Sequence, residues 1–258
     1  MRAIISVSDK TGVDLLGQGL AELGVDIYST GGTRRALEAA GVPVRPVRDL
    51  TGFPEILGGR VKTLHPAVHG GILARRDVPA DRDDLARHNL DSIDLVAVNL
   101  YPFEDTVAQP GVSLRGALEQ IDIGGPTMLR AAAKNFAAVV PLCDPGDYPA
   151  TLQALGQPGG PDEAFRRRLA AKAFRHTAVY DALVAAYLGS GDMTTPESGR
   201  GIWPEELPLG LRKVQELRYG ENPQQRAAFY APVRPGGARG LVAASQHQGK
   251  SLSYTNIL

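Results

Sequence analysis

The chain has one cysteine, one tryptophan and three methionines among 258 residues, and only 6% of it is aromatic. A single thiol, Cys143, excludes an internal disulfide framework and a cysteine-rich zinc site. An excess of either charge is also missing, since 28 Lys and Arg balance 28 Asp and Glu. Zero formal charge leaves no broad field to attract nucleic acid or an anionic membrane surface. The longest apolar runs fall far short of the ~20 residues of a membrane helix. The opening stretch reaches Asp9 and Lys10 too early for the apolar core of a signal peptide. What remains, 43% hydrophobic and 22% charged, is ordinary globular composition. The expectation is a cytoplasmic protein that handles small molecules, with no nucleic-acid or membrane partner. At about 150 residues per domain, the length suggests one α/β core plus an appendage.

The first half alternates short β-branched runs with helical patterns, the signature of parallel α/β units. Ala3-Ile4-Ile5-Ser6-Val7 reads as a buried strand, apolar almost throughout. Val13, Leu16, Leu20 and Leu23 recur at helical spacing, and Gly24 closes that helix. Val25-Asp26-Ile27-Tyr28 reads as a second strand. A helix from Thr33 to Ala40 follows, with Gly41 just past its end. Two further strands are expected at Leu95 to Leu100 and Ala138 to Leu142. Asp162 is placed to cap a long helix with Phe165, Leu169, Ala173, Tyr180 and Tyr187 on its apolar face. Between Gly189 and Pro208 stand four glycines and three prolines without periodicity, a linker pattern. The remaining segment, from Leu209, is too short for a core of its own without metal or disulfides. It reads as the opening of a second domain, one that leaves apolar surface exposed if the chain is cut there.

Two Ser/Thr/Gly-rich loops leave the first two strands. Ser8-Asp9-Lys10-Thr11-Gly12 follows the first, and Thr30-Gly31-Gly32-Thr33 the second. Small residues there let backbone N–H groups approach an anion at a helix N-terminus, and Lys10 adds a full charge. The same residues also make ordinary tight turns, with Thr33 as a helix N-cap. Gly59-Arg60-Val61-Lys62-Thr63-Leu64-His65-Pro66 sets a guanidinium fork and an ammonium after flexible residues, which suits an anionic substrate or a solvated loop. His65 and His69 have helical metal-ligand spacing. Pro66 interrupts it and no carboxylate is near, so a structural or substrate-orienting role is favoured over a metal. Asn99 and Tyr101 close the strongest strand. Asp122-Ile123-Gly124-Gly125-Pro126 offers a second close backbone approach, with Pro126 at a helix N1 position. Cys143, Trp203 and Met128 read as packing residues.

Taken in order, these motifs, with Ala133-Lys134-Asn135, resemble the bifunctional purine-biosynthesis proteins that join AICAR transformylase to IMP cyclohydrolase. The segments Leu217 to Gln225 and Gln248 to Tyr254 resemble the start of the transformylase part. Gln224 stands where the family usually has histidine, and Phe136 where it often has histidine or tyrosine. The resemblance implies an α/β, methylglyoxal-synthase-like three-layer fold with a mostly parallel sheet, followed by an incomplete second α/β domain. It implies a cyclohydrolase domain over 1–190, a linker over 191–208 and a transformylase fragment over 209–258.

By the same resemblance the chain closes the purine ring of formyl-AICAR to IMP with loss of water, without metal or cofactor. The transformylase uses 10-formyltetrahydrofolate, and its catalytic Lys-His pair lies beyond Leu258, so that activity is expected to be absent. Catalysis falls to Lys134, Lys62, Tyr101 and Asp122, with Lys134 moving the proton under the influence of Asp122 and Lys62 on the oxyanion. Ser8, Asp9, Lys10, Thr30, Gly31, Gly32, Thr33, Arg60, Thr63, Asn99, Ile123, Gly124 and Gly125 bind substrate and phosphate, Asn99 reading the base edge. Arg218 and Tyr219 match the AICAR site of the transformylase part. The family works as a homodimer. A nucleotide-sensing module of the same fold is the alternative reading, and a methylglyoxal synthase a more distant one.

Overall fold

The computed structural model describes residues 1–189, 204–233 and 240–257. The expected linker and Trp203 therefore lie largely or wholly outside the described residues. Compactness divides the chain into two units: 1–101 with 122–177, and 102–121 with 178–258.

The first unit carries a five-stranded parallel sheet in the order β3-β2-β1-β4-β5. Its elements run β1 (Arg2–Val7), α1 (Val13–Glu22), β2 (Asp26–Ser29), α2 (Gly31–Ala39), β3 (Arg45–Pro46), α3 (Arg48–Thr51), α4 (Pro66–Leu73), α5 (Pro79–Arg87) and β4 (Leu95–Asn99). In the second unit, α6 (Phe103–Val107) and α7 (Leu114–Leu118) follow. The chain then returns to the first unit with α8 (Gly124–Lys134), β5 (Val140–Leu142), α9 (Tyr148–Leu155) and the start of α10 (Glu163–Gly189).

Strand periodicity explains the layers. Ala3, Ile5 and Val7 of β1 point to one face, where they meet Leu16 and Leu20 of α1, Leu37 of α2, Tyr148 of α9 and Leu169 of α10. The opposite face is covered by α8, which lies against β4 and β5, with α4 packed on α8. This is the three-layer α/β arrangement, and the mostly parallel sheet is borne out. Helix α1 approaches its neighbours closely because it carries glycine at two contact points. A Cβ on Gly17 would come within 2.5 Å of Leu37, and one on Gly19 within 2.7 Å of Leu152.

Helix ends follow local chemistry. After α1, Gly24 is left-handed (φ +70°); its N–H bonds Ala21 O, and that of Val25 bonds Leu20 O. Gly41 repeats this paired closure after α2. Asp162 accepts the Phe165 N–H at 2.7 Å, as a cap of α10 should.

Other expectations need correction. Helix α2 starts at Gly31, so Thr33 lies inside its first turn, buried, and Thr30 is the N-cap. Pro126 is the third residue of α8 rather than the first, a position that still needs no intrahelical N–H partner. Pro66 opens α4 instead of interrupting a helix, with His65 as N-cap accepting the Ala67 N–H at 3.1 Å. Leu100 falls just past β4, Val25 just before β2, and Ala138 and Val139 before β5.

The second unit includes the antiparallel ribbon β6 (Leu211–Leu217) and β7 (Ala227–Pro232), and α11 (Tyr254–Ile257). Phe103, 1% exposed, stacks edge-on against Tyr180 and Tyr187. Leu211, Val214 and Tyr230 of the ribbon, and Leu209 before it, are exposed. Among the described residues no helix is long and apolar enough to cross a membrane.

Candidate active site

The sheet order reverses between β1 and β4, and crevices at such points collect ligands at the strands' carboxyl ends. The loops after β1 and β4 meet there through Asn99. Its Oδ1 accepts the N–H groups of Ser8 (2.5 Å) and Asp9 (2.9 Å), and its Nδ2 donates to Asp9 O (2.9 Å). Asn99 is therefore a clamp between the two loops, its amide oxygen and one N–H engaged within the protein. Lys10 is likewise turned inward, donating to the carbonyls of Val7 and Ser8. Burial lowers its pKa from the ordinary lysine value, against the opposing effect of Asp9. Asp9 in turn accepts from the N–H and hydroxyl of Thr11, which hold its carboxyl below the usual range.

The second loop is joined to the first by side chains. The Thr33 hydroxyl donates to Val7 O and accepts Val7 N–H, Ser29 donates to Ile5 O, and Ser6 and Thr30 hydroxyls lie 3.2 Å apart. No side-chain hydrogen bond caps α2, whose first-turn N–H groups have no intrahelical partner and carry the positive end of the helix dipole. Thr30 and Gly31, where α2 begins, line a cleft of about 280 Å³ together with residues that include Arg34, Arg48, Phe53 and Lys62. Arg34, Arg48 and Phe53 escaped the sequence reading because surface arginines and a loop phenylalanine carry no periodic signal.

Lys62 reaches this cleft from a strained turn. Leu57, Gly58 and Gly59 are all left-handed (φ 54°, 64° and 90°), and Ile56 pairs with Val61 across them. A Cβ on Gly59 would lie 2.6 Å from Lys62 Cε, so this glycine makes room for the lysine stem. The ammonium pairs with Glu55 at 3.4 Å and lies 3.7 Å from where a Gly31 Cβ would stand. Arg60, on the same turn, is exposed and engaged by a partner. Thr63 is buried, and its hydroxyl would sit 2.7 Å from a Cβ on Gly124.

That contact leads to the start of α8. Asp122 accepts the Gly125 N–H at 2.9 Å and the Tyr101 N–H, while burial raises its carboxyl pKa above the ordinary 3.8. A side chain on Gly125 would strike the Asp122 carboxylate at 2.5 Å. Ile123 is the exposed N-cap, and Tyr101, 45% exposed, keeps its ring outside. Thr63, Gly124, Asp122 and Tyr101 thus adjoin one another, with Lys62 next to Thr63 in the chain and its ammonium on the α2 cleft.

Lys134 is not among them. It is the exposed last residue of α8, about 15 Å along the axis from Gly124 at 1.5 Å per residue. The expected tuning of Lys134 by Asp122 is therefore not made within this chain, because α8 holds the two at opposite ends.

His69 is half-buried, bonded to Thr63 backbone, and desolvation lowers its pKa. Among the described residues no group of three or more His, Cys, Asp or Glu is placed to hold a metal. Cys143 is buried, and desolvation pushes its thiol up to about 12.

In the second unit Arg218 and Tyr219 lie together, the guanidinium 4.9 Å from the ring centroid and donating to the phenol at 3.3 Å. Bonds from Arg218 N to Leu252 O and from Tyr254 N to Tyr219 O join the two C-terminal motifs.

A family model for the MGS-like domain matches residues 13–127, and one for the AICARFT/IMPCHase bienzyme matches 132–258. The chain is 54% identical over 257 residues to the bifunctional purine biosynthesis protein PurH of Listeria monocytogenes serovar 1/2a, covering 99% of this chain and 49% of that protein. For PurH of Chloroflexus aurantiacus the identity is 55% over 260 residues, with 100% and 47% covered. A solved structure described as the crystal structure of ForH is 45% identical with a TM-score of 0.68, over 74% of this chain and 97% of that one. The chain spans about half the length of the curated relatives it matches. With both family models matched in sequence order and identity above half along its whole length, the chain belongs to the family of the PurH bifunctional purine biosynthesis proteins.

Proposed function

We propose that this chain is an IMP cyclohydrolase, closing the ring of formyl-AICAR. The carboxamide nitrogen attacks the neighbouring formyl carbon and gives up one proton, and the formyl oxygen takes up a proton to become a hydroxyl. That hydroxyl leaves with a second proton as water while the formamide nitrogen loses its proton and the ring C=N bond forms, giving IMP. An amide nitrogen is a poor nucleophile, so the protein must hold a near-attack geometry, stabilise the oxyanion and move protons. The observation that carries this reading is the adjoining set of Thr63, Gly124, Asp122 and Tyr101, with Lys62 beside Thr63 in the chain. Lys62 supplies the charge for the oxyanion. Asp122, whose burial favours its protonated form, is suited to exchange a proton there, and Tyr101 hydrogen-bonds the carboxamide or formyl oxygen. Phosphate binding remote from these atoms supplies orientation.

The reaction as proposed uses no metal or redox cofactor. Formyl transfer from 10-formyltetrahydrofolate belongs to the proposed activity of full-length relatives, together with Arg218 and Tyr219. A cytoplasmic homodimer is the proposed form. Lys134 acts, in this reading, only from outside this set.

The test is turnover of formyl-AICAR by the 258-residue chain, followed by IMP absorbance. Wild type should form IMP and Lys62→Ala should lose most of that rate. Lys134→Ala with full turnover removes Lys134 from the mechanism, whereas loss of turnover restores it. The separation of Lys134 from Asp122 also favours one second reading, a nucleotide-sensing module. Tight IMP binding without any turnover would establish that reading instead.

A further inference from the structure

Two helices bring site residues together at their starts, and one buried amide joins the same helices at their ends. Thr63 precedes α4, Asp122 precedes α8, and the two helices pack on each other. Their starts adjoin where the Thr63 hydroxyl lies 2.7 Å from the place a Gly124 Cβ would take. Their ends adjoin at Asn135, 8% exposed, whose Nδ2 donates to Ile72 O at 2.7 Å and to Ala74 O at 3.0 Å. The helices therefore run side by side in one direction. The last carbonyls of a helix have no partner inside it, and α4 ends at Ala74 without a left-handed cap (φ −60°). Asn135 supplies two of the missing donor contacts, while the Arg76 guanidinium and the Ile93 N–H both bond Gly71 O. Asn135 is itself held, its N–H on Ala131 O and its carbonyl accepting the N–H groups of Ala138 and Val139. A donor that only capped α4 could come from any neighbouring element. This one comes from the residue that ends α8.

We propose that Asn135 is a positioning residue for the ring closure. By joining the ends of α4 and α8 it sets the height of one helix against the other, and with it the placement of Thr63 against Gly124 and Asp122. Asn135 lies about 16 Å along α8 from Gly124 at 1.5 Å per residue, so it acts only through the helices. Val68 and Ile72 of α4 and Leu129 and Ala132 of α8 are fully buried. Close packing of that kind leaves no slack in which a shift at one end could be lost before the other. A near-attack geometry is sensitive to displacements of about 1 Å that originate far from the reacting atoms. The effect on turnover rests on the cyclohydrolase reading, and the test separates the two.

Steady-state turnover of formyl-AICAR by the 258-residue chain provides that test, with thermal melting and amide NMR spectra of the substrate-free protein. The variants are Asn135→Ala and the milder Asn135→Ser, which keeps one donor. Asn135→Ala should lower kcat about tenfold with KM within about twofold of wild type, and Asn135→Ser should fall between. The Gly125 amide, bonded to Asp122 at 2.9 Å, should shift in the folded variants although it lies a helix length away. A role confined to capping α4 would lower the melting temperature and leave that amide where it is. Full kcat with an unmoved Gly125 amide in both variants would overturn the proposal and leave the cyclohydrolase reading intact. No IMP formation by wild type would overturn that reading. A shifted Gly125 amide would then still support the positioning role, and an unmoved one would overturn it as well.

Discussion

The loops after β1 and β2 look interchangeable as sequence, and the structure makes them opposites. Ser8-Asp9-Lys10 turns inward: Asn99 takes its N–H groups and its own carbonyls take the lysine. Thr30-Gly31-Gly32 turns outward, with no side-chain cap and a cationic cleft in front of it. Small residues permit an anion site, but whether backbone donors are still uncommitted determines which loop can serve. The first loop is tied across the β1–β4 reversal by Asn99, and the second borders the cleft lined by Arg34, Arg48 and Lys62.

The largest test of this contrast compares two lysines. Lys62→Ala should lower formyl-AICAR turnover about 10²- to 10³-fold, the usual effect of removing an oxyanion donor. Lys10→Ala should lower it less than tenfold, because its ammonium is spent on its own loop. Equal losses measured by steady-state kinetics would break the comparison.

Stability should show the reverse order. Asn99→Ala strands the N–H groups of Ser8 and Asp9 and the carbonyl of Asp9, at a cost of about 2–4 kcal/mol. Thr30→Ala loses one hydroxyl contact and should cost less than about 1 kcal/mol. Urea unfolding of both variants checks the difference.

The fold was most legible where burial was complete. β1, β2 and β4 are central parallel strands, and an unbroken apolar run is their direct consequence. β3 escaped because Arg45–Pro46 is two residues long and polar. Helix α4 escaped because a proline that begins a helix looks the same in sequence as one that ends it. In the site, residue types were legible and their commitments were not. Asn99 and Lys10 have chemistry suited to a ligand, and only the fold reveals that protein groups satisfy them first. Lys134 illustrates the same limit: its spacing from Asp122 already put it far along a helix, and the fold sets it at the exposed end of α8.

Away from both loops, Cys143 offers a pH test. Its thiol is raised from the ordinary 9.0 to about 12 by burial, so the folded chain holds a proton that the unfolded chain releases. Its stabilising contribution is complete below pH 9 and falls as pH rises toward 12. Alkylation at pH 8 should be slow in the native protein and fast in denaturant, and a rapidly labelled native thiol would contradict this. The smallest effect belongs to the turn that carries Lys62. Leu57 is left-handed and exposed, so Leu57→Asn should stabilise by about 0.5 kcal/mol, because asparagine tolerates that conformation better. Thermal melting measures it.

The contrast between the two loops is tested most directly by the backbone amide resonances of the ¹⁵N-labelled chain during titration with IMP. The structure predicts that Gly31, Gly32 and Thr33 shift first and furthest, with Ser8 and Asp9 nearly still. Large early shifts at Ser8 and Asp9, with Gly31 to Thr33 unmoved, would contradict it and return the phosphate to the loop that Asn99 holds.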